Sequence, residues 1–137
     1  MSKGVVTFTE SESEFLSESM LGRVATVSPN LEPHVVPVTF EFDGQYIYFS
    51  GYNLSESLKF HNLEQNNRVA FVVDDLVSVK PWRPRGMEIR GIARILISES
   101  EPYAKNTIEL NREPPRKISN TQPYVKIIPY TKRSWGL

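Results

Sequence analysis

Residues 33–50 read PHVVPVTFEFDGQYIYFS, and this stretch decides the fold. PHVVPVTFEF alternates apolar and polar side chains as a strand does, and YIYF is a second apolar run. Asp43-Gly44 lies between them, and a two-residue Asp-Gly step joining two such runs is the strongest short-range hairpin signal. Working outward, GRVATVS at 22–28 is a further strand, and SPNLE at 28–32 is the turn that returns it to residue 33. Three antiparallel strands follow from this half of the chain alone.

The rest of the chain supplies three more strands. RVAFVV (68–73) is short and apolar enough to be a buried strand. GMEIRGIARILI (86–97) places Met87, Ile89, Gly91, Ala93, Ile95 and Ile97 on one side and Glu88, Arg90 and Arg94 on the other, the period of two expected of a strand. YVKIIP (124–129) is the last. Helices are predicted over 11–20, where Ser11 and Glu14 fit a capping box and Phe15, Leu16, Met20 and Leu21 give an apolar side, and over 54–65, with Asn53 and Glu56 as a second box. EPYAKNTIELN (101–111) is a third helical stretch, and REPPRK (112–117) a basic loop. The expected fold is mainly β: a single domain over 1–137, a six-stranded antiparallel barrel with short flanking helices, closed because open sheet edges invite aggregation.

Composition limits the function. The 137 residues contain 39% hydrophobic and 23% charged side chains, as in globular proteins. No apolar run approaches the ~18 residues of a membrane span, and the first ten residues lack a long apolar stretch, so a cytoplasmic protein is expected, without membrane association. Absence of cysteine removes thiolate chemistry and cysteine-based metal sites. His34 and His61 fall in separate segments, which makes a dedicated metal site a poor expectation. The net charge is zero, against a general nucleic-acid binder. Charge is nevertheless uneven: residues 1–64 hold three Lys or Arg against nine Asp or Glu, and residues 65–137 hold thirteen against seven. The second half is the place to look for an anion site, unless its cations are merely solvated.

VDDLVSVKPWRPRGMEIRG at 73–91 is the unusual connection. Pro81 and Pro84 fix φ and remove two backbone donors, so an extended, stiff segment is expected. It holds Trp82, a large flat surface, and Arg83 and Arg85, whose planar forks suit carboxylate or phosphate oxygens. The plain alternative is a Trp lid on the barrel end with both arginines in water. Gly86 is expected to ease entry into the next strand. Asp74 and Asp75 either do acid–base chemistry or, as such pairs more often do, cap a turn or meet nearby arginines.

Taken together, GRVATVSPN, PHVVPVTFEFDGQYIYFSG, SLKFHNLEQNNRVAFVVDDLVSVKPWRPRGMEIRG and the terminal SWGL resemble the split-barrel superfamily of pyridoxamine 5′-phosphate oxidase. Within it the chain is most similar to the branch assigned to the deazaflavin coenzyme F420. The specific part is the pattern DD-x5-PWRPRG-x-E-x-RG. The resemblance implies a split barrel that pairs as a homodimer, with F420, or FMN as the alternative, in a groove between subunits. It aligns Ser57 and Lys59 with the phosphate-binding Ser and Lys, within a segment running from Ser50 and Gly51, and it puts Leu58 where a second cation is usual. Leu31 replaces a usual turn glycine and Asn67 a usual proline. Val36, Pro37 and Val38 would present backbone to the ring system, and Trp135 would fold over the cofactor or the partner subunit, or else be pinned to its own core. From the chemistry of their own stretch, Trp82, Arg83 and Arg85 are expected to border the cofactor or acceptor.

The residues agree with part of this. A helix N-terminus near Leu54 carries unpaired N–H groups and partial positive charge, suited to a phosphate. No nucleophile–base pair is evident, so the expected activity is an oxidoreductase that positions a cofactor and a small or planar acceptor. A non-catalytic flavin or deazaflavin carrier or sensor is the second reading. An oligonucleotide-binding barrel stacking bases on Tyr46 and Tyr48 is the third.

Overall fold

A computed structural model describes residues 6–51, 53–97 and 123–137. The predicted helix at 101–111 and basic loop at 112–117 lie outside the described residues. In chain order the elements are α1 (Glu10–Glu18), β1 (Leu21–Val27), β2 (Pro33–Thr39), β3 (Glu41–Phe42), β4 (Ile47–Phe49), a 3₁₀ turn (Leu54–Glu56), α2 (Leu58–Gln65), β5 (Arg68–Ser78), β6 (Arg83–Ile97) and β7 (Pro123–Trp135).

One sheet holds all seven strands in the order β2-β1-β5-β6-β7-β4-β3, every pairing antiparallel. Its two edges, β2 and β3, are separated in sequence by Phe40 alone. A single residue spans only ~3.5 Å, so the sheet must curl until its edges meet. Six strands become seven because the predicted second strand breaks at Phe40, whose amide turns to the Met20 carbonyl at 3.3 Å. Its ring is buried edge-on against Phe71, 5.1 Å between centroids. The split barrel is therefore the architecture expected, with one strand bent across the opening.

The Asp-Gly hairpin forms as read. Gly44 has φ 100°, and Asp43 Oδ1 accepts from the amides of Gln45 and Tyr46 at 2.9 and 2.7 Å. Alternation then sorts the core: Val24, Val38, Phe42, Ile47, Phe71, Met87, Ile89, Val125 and Ile127 all point inward and are buried. On the other side of β4 and β7, Tyr48 and Tyr124 form a second buried cluster. Tyr48 is 1% exposed and donates its hydroxyl to Asp43 Oδ2 at 2.7 Å, while Lys126 Nζ covers the Tyr46 ring at 4.2 Å. The aromatic pair that motivated base stacking is therefore used internally.

Both helix starts differ from expectation. At α1 the capping box is Thr9 with Glu12, not Ser11 with Glu14: Glu12 N donates to Thr9 Oγ1 at 3.1 Å and Thr9 N to Glu12 Oε1 at 2.9 Å. The reason is tertiary. Glu12 is drawn inward, where Lys132 Nζ and Ser134 Oγ on β7 donate to its carboxylate. At the second helix Asn53 is left-handed with no side-chain cap, the 3₁₀ turn follows, and α2 starts only at Leu58 with Ser57 as N-cap. Asn62 Nδ2 then donates to Thr26 Oγ1 at 2.9 Å in a buried bond that ties α2 to β1.

The stretch around Trp82 is a hairpin arm. β5 continues to Ser78 and β6 begins at Arg83, leaving a reversal over Val79, Lys80, Pro81 and Trp82. The extended segment expected across the two prolines is thus a tight reversal over residues 79–82, and only from Arg83 does pairing with β5 hold the chain extended. Gly86 has a different role from the one expected of it. A Cβ there would lie 2.5 Å from Trp135 Cζ2 and 2.8 Å from the Val73 carbonyl oxygen, so glycine is needed for the indole to lie against the strand.

Candidate functional site

The side chains singled out from the sequence fall into two groups. Ser50, Gly51, Ser57 and Lys59 belong to one continuous path from β4 into α2, in which Leu54 N donates to the Gly51 carbonyl at 3.2 Å. Val36, Pro37 and Val38 lie on edge strand β2, which pairs with β1, the strand that α2 is bonded to. Pro37 faces outward and Val38 inward, with Val36 between the two in exposure. Trp82, Arg83, Arg85 and Trp135 form the second group, on the β5–β6 arm and the end of β7, where Trp135 opposes Gly86.

The tip of the arm stands well away from Pro37 within one chain. Pro37 opposes Arg23, which opposes Val72, and from Val72 to the start of the arm's reversal at Ser78 β5 runs six residues, roughly 20 Å at ~3.3 Å per residue, whereas Arg85 and Trp135, level with Asp75 and Asp74, stand only two or three residues along. A planar cofactor lying against Pro37 is therefore out of reach of Trp82 in the same copy.

The first group has the chemistry of an anion site. Ser57 caps α2, and Lys59 stands in its first turn, where the amides of Leu58 and Lys59 have no carbonyl within the helix to bond. Lys59 is half-buried, has no ion-pair partner among the described residues, and burial lowers its pKa below the ordinary lysine value. A desolvated ammonium at a helix N-terminus fits a phosphate. Ser57 fits less well, since its hydroxyl already donates to the Leu54 carbonyl at 2.6 Å and accepts from Phe60 N at 3.3 Å. Leu58 projects outward, 54% exposed. Nearby on β2, His34 has a buried Nδ1 with no hydrogen-bond partner, the kind of polar atom that a ligand or water ordinarily satisfies.

The second group is divided. Arg85 is bound to Asp75 through both Nε (2.7 Å) and Nη2 (2.9 Å), and its guanidinium lies 5.0 Å from the Phe15 ring centroid. Those hydrogen bonds raise the Arg85 pKa and lower that of Asp75. Arg23 pairs with Asp74 at 3.0 Å. The two aspartates therefore meet arginines, which takes away the geometry of a shared-proton pair. Arg83 is exposed without such a partner among the described residues, and Trp82 is 66% exposed at the arm's tip. Trp135 lies against its own chain at Gly86.

Sequence reasoning did not find two further features. One is the Glu12–Lys132–Ser134 cluster; Thr9 and Glu12 at box spacing were the available signal. The other is a shallow trough of about 270 Å³ on the outer face, with Ala25, Ala70, Arg68, Arg90 and Tyr130 among its lining. A larger cleft, about 790 Å³, lies elsewhere, between the β1–β2 turn, the end of α2 and β6. Its lining of Ser28, Pro29, Leu31, Leu63, Asn66, Asn67 and neighbours holds no cation, so it does not suit a phosphate-bearing ligand.

Comparison with known proteins follows the same lines. The family model described as pyridoxamine 5′-phosphate oxidase matches residues 8–126. A 5a,11a-dehydrotetracycline/5a,11a-dehydrooxytetracycline reductase of Streptomyces rimosus is 40% identical over 116 residues, covering 81% of this chain and 80% of the relative. Among solved structures, a conserved hypothetical protein of Mycobacterium tuberculosis is similar with TM-score 0.71 at 23% identity, over 99% of this chain and 89% of that one. A protein described as an F420 reductase is similar with TM-score 0.66 at 24% identity, over 92% of this chain and 98% of that one. At these identities the two structures bear on the fold.

Proposed function

We propose, from the premise that this chain belongs to the pyridoxamine 5′-phosphate oxidase family, that it is an oxidoreductase using F420, with FMN as the alternative, in a seam between two copies. The observation that carries the proposal is the half-buried Lys59 at the N-terminus of α2, without an ion-pair partner among the described residues. Burying an ammonium costs free energy unless a counter-charge joins it, and a cofactor phosphate supplies that counter-charge.

The cofactor, when bound, supplies hydride; the acceptor is reduced and takes its proton from solvent. The chain's own part is to bind and orient. Lys59 and the first amides of α2 hold the phosphate. Val36, Pro37 and Val38 offer main chain to the ring, and the outward Pro37 has no N–H to be stranded there. Separation of the arm's tip from Pro37 favours a homodimer, in which the arm bearing Trp82 and Arg83 from one copy closes over the Lys59 region of the other. Trp82 then walls the acceptor and Arg83 meets an anionic part of it.

The 40%-identical relative is named for reducing dehydrotetracyclines, and only the class is carried over here: a small, planar acceptor. The experiment is an absorbance spectrum of the purified protein, followed by titration with FMN and F420 and by turnover of the reduced cofactor. Binding of either, weakened by Lys59→Ala and not by Leu58→Ala, is expected. No binding of either cofactor would sink the reading, and binding without turnover of any acceptor would favour a carrier.

A further inference from the structure

The uneven charge of the chain has a definite location in the fold. On β5, β6 and β7 the outward side chains include Arg68, Arg90, Arg94 and Arg133, and Arg23 joins them from β1. Asp74 and Glu88 engage two of these, Arg23 at 3.0 Å and Arg90 at 3.5 Å. Arg68 has no side-chain partner among the described residues. Positive charge therefore exceeds its local compensation on this face.

The same face is hollow at one point. Ala25 on β1 opposes Ala70 on β5, and Ala70 opposes Arg90 on β6. Cross-strand neighbours have Cβ atoms roughly 5 Å apart, so two methyl groups side by side leave a depression where larger residues would fill the surface. Arg68 lies two residues along β5 from Ala70, on the same side, and so stands at the rim beside Arg90. β7 contributes through an irregularity. Its register with β6 shifts between Arg90 and Gly91, which pair with Thr131 and Pro129, so Tyr130 is the extra residue. A bulge of this kind re-aims a side chain, and Tyr130 lines the trough.

We propose that this trough is a subsite for carboxylates, with Arg68 and Arg90 as the paired cations and Ala25 and Ala70 as the apolar floor. Its volume, about 270 Å³, is below the ~300–1,000 Å³ of pockets that enclose a whole ligand. It is therefore sized for part of a ligand, such as a short acidic chain, rather than for a whole cofactor. Guanidinium forks match carboxylate geometry in pairs, and the alanines accept the methylenes between acidic groups. The trough begins one strand in from β2, since Ala25 opposes Val35, the neighbour of Val36. β2 and the strand bearing Arg90 are three strand spacings apart, roughly 14 Å. The carboxylates therefore come either from the acidic tail of F420, in which case the subsite rests on the function proposed above, or from an acidic acceptor.

Fluorescence titration of the full chain with F420 and with FMN separates the possibilities, using the wild type, Arg68→Ala, Arg90→Ala and Lys59→Ala. Each arginine variant is expected to weaken F420 about tenfold or more, the effect of removing a charge-assisted hydrogen bond, with FMN changed by less than about twofold. Lys59→Ala is expected to weaken both cofactors. Arg68→Lys, which keeps the charge and loses the fork, falls between wild type and Arg68→Ala. In parallel, glutarate is titrated while backbone amides of Ala25 and Ala70 are followed by NMR. Shifts there that vanish in Arg68→Ala, with F420 affinity unchanged, assign the trough to an acidic acceptor. Failure of wild type to bind either cofactor refutes the proposed function but leaves the glutarate titration as the test of the trough. Unchanged F420 affinity in both arginine variants, together with no glutarate shifts, overturns the subsite.

Discussion

Protonating Glu12 should unlock α1 from the barrel, and the size of the effect follows from its surroundings. Its side chain is 7% exposed. Burial alone would raise the carboxyl pKa, but hydrogen bonds from Lys132, the Thr9 amide and Ser134, with the charge of Lys132, outweigh it and lower the value from 4.5 to about 2. A carboxyl whose pKa is depressed in the folded state contributes stability that is complete above its unfolded pKa and is lost as pH falls through the folded one. At roughly 1.36 kcal/mol per pKa unit, the contribution at neutral pH is about 3 kcal/mol, and about 2 kcal/mol of it is gone by pH 3. Urea unfolding of wild type and Glu12→Gln at pH 7 and pH 3 measures it. The variant should be less stable by about 3 kcal/mol at pH 7, and the gap should narrow to roughly 1 kcal/mol at pH 3. Using the difference cancels every other carboxylate. A gap that stays constant with pH, or no gap at pH 7, would refute the assignment of this carboxylate as a charged internal anchor.

Other expectations are simpler. Because burial depresses Lys59, affinity for a phosphate-bearing cofactor should fall at alkaline pH before an ordinary lysine would titrate, and this loss should disappear in Lys59→Ala; a pH series of titrations checks it. Gly86→Ala forces a Cβ within 2.5 Å of the Trp135 ring, so a loss of about 1–3 kcal/mol in chemical unfolding is expected, with a quenching or shift of Trp fluorescence and partial recovery in the double variant Gly86→Ala/Trp135→Ala. Asn62→Ala removes the buried bond to Thr26 and should cost about 1–3 kcal/mol, whereas Asp75→Asn, on an exposed ion pair, should scarcely move the unfolding midpoint.

Much of the fold was legible because local signals agreed with one another. Asp43-Gly44 turns where its chemistry says, and Met87 and Ile89 alternate with Glu88 and Arg90 as their pattern requires. At α1 the start differs for a specific reason: Ser11 with Glu14 satisfies the capping pattern as well as Thr9 with Glu12 does, and the choice rests on partners far along the chain; at α2 the cap is Ser57, whose bonds to Leu54 and Phe60 are local. Glu12 is selected by Lys132 and Ser134, 120 and 122 residues away. Likewise Gly86 looked like a flexible entry to a strand until the terminal indole was seen lying on it.

The candidate site shows the same division. Lys59, Ser57 and the β2 stretch are candidates from residue type and resemblance, and Trp82 and Arg83 from the density of unusual chemistry between two prolines. Arg68, Arg90 and the alanines between them carried no such mark, because a lone Arg or Ala on a strand is unremarkable by itself. Periodicity and turn chemistry act over a few residues, so the amino-acid sequence by itself determined the strands, the hairpin and the location of excess positive charge. Pairing acts across dozens of residues, so only the tertiary structure decided that Asp74 and Asp75 are bound to arginines, that Trp82 stands at the tip of an arm well away from Pro37, and that two alanines open a hollow between cations.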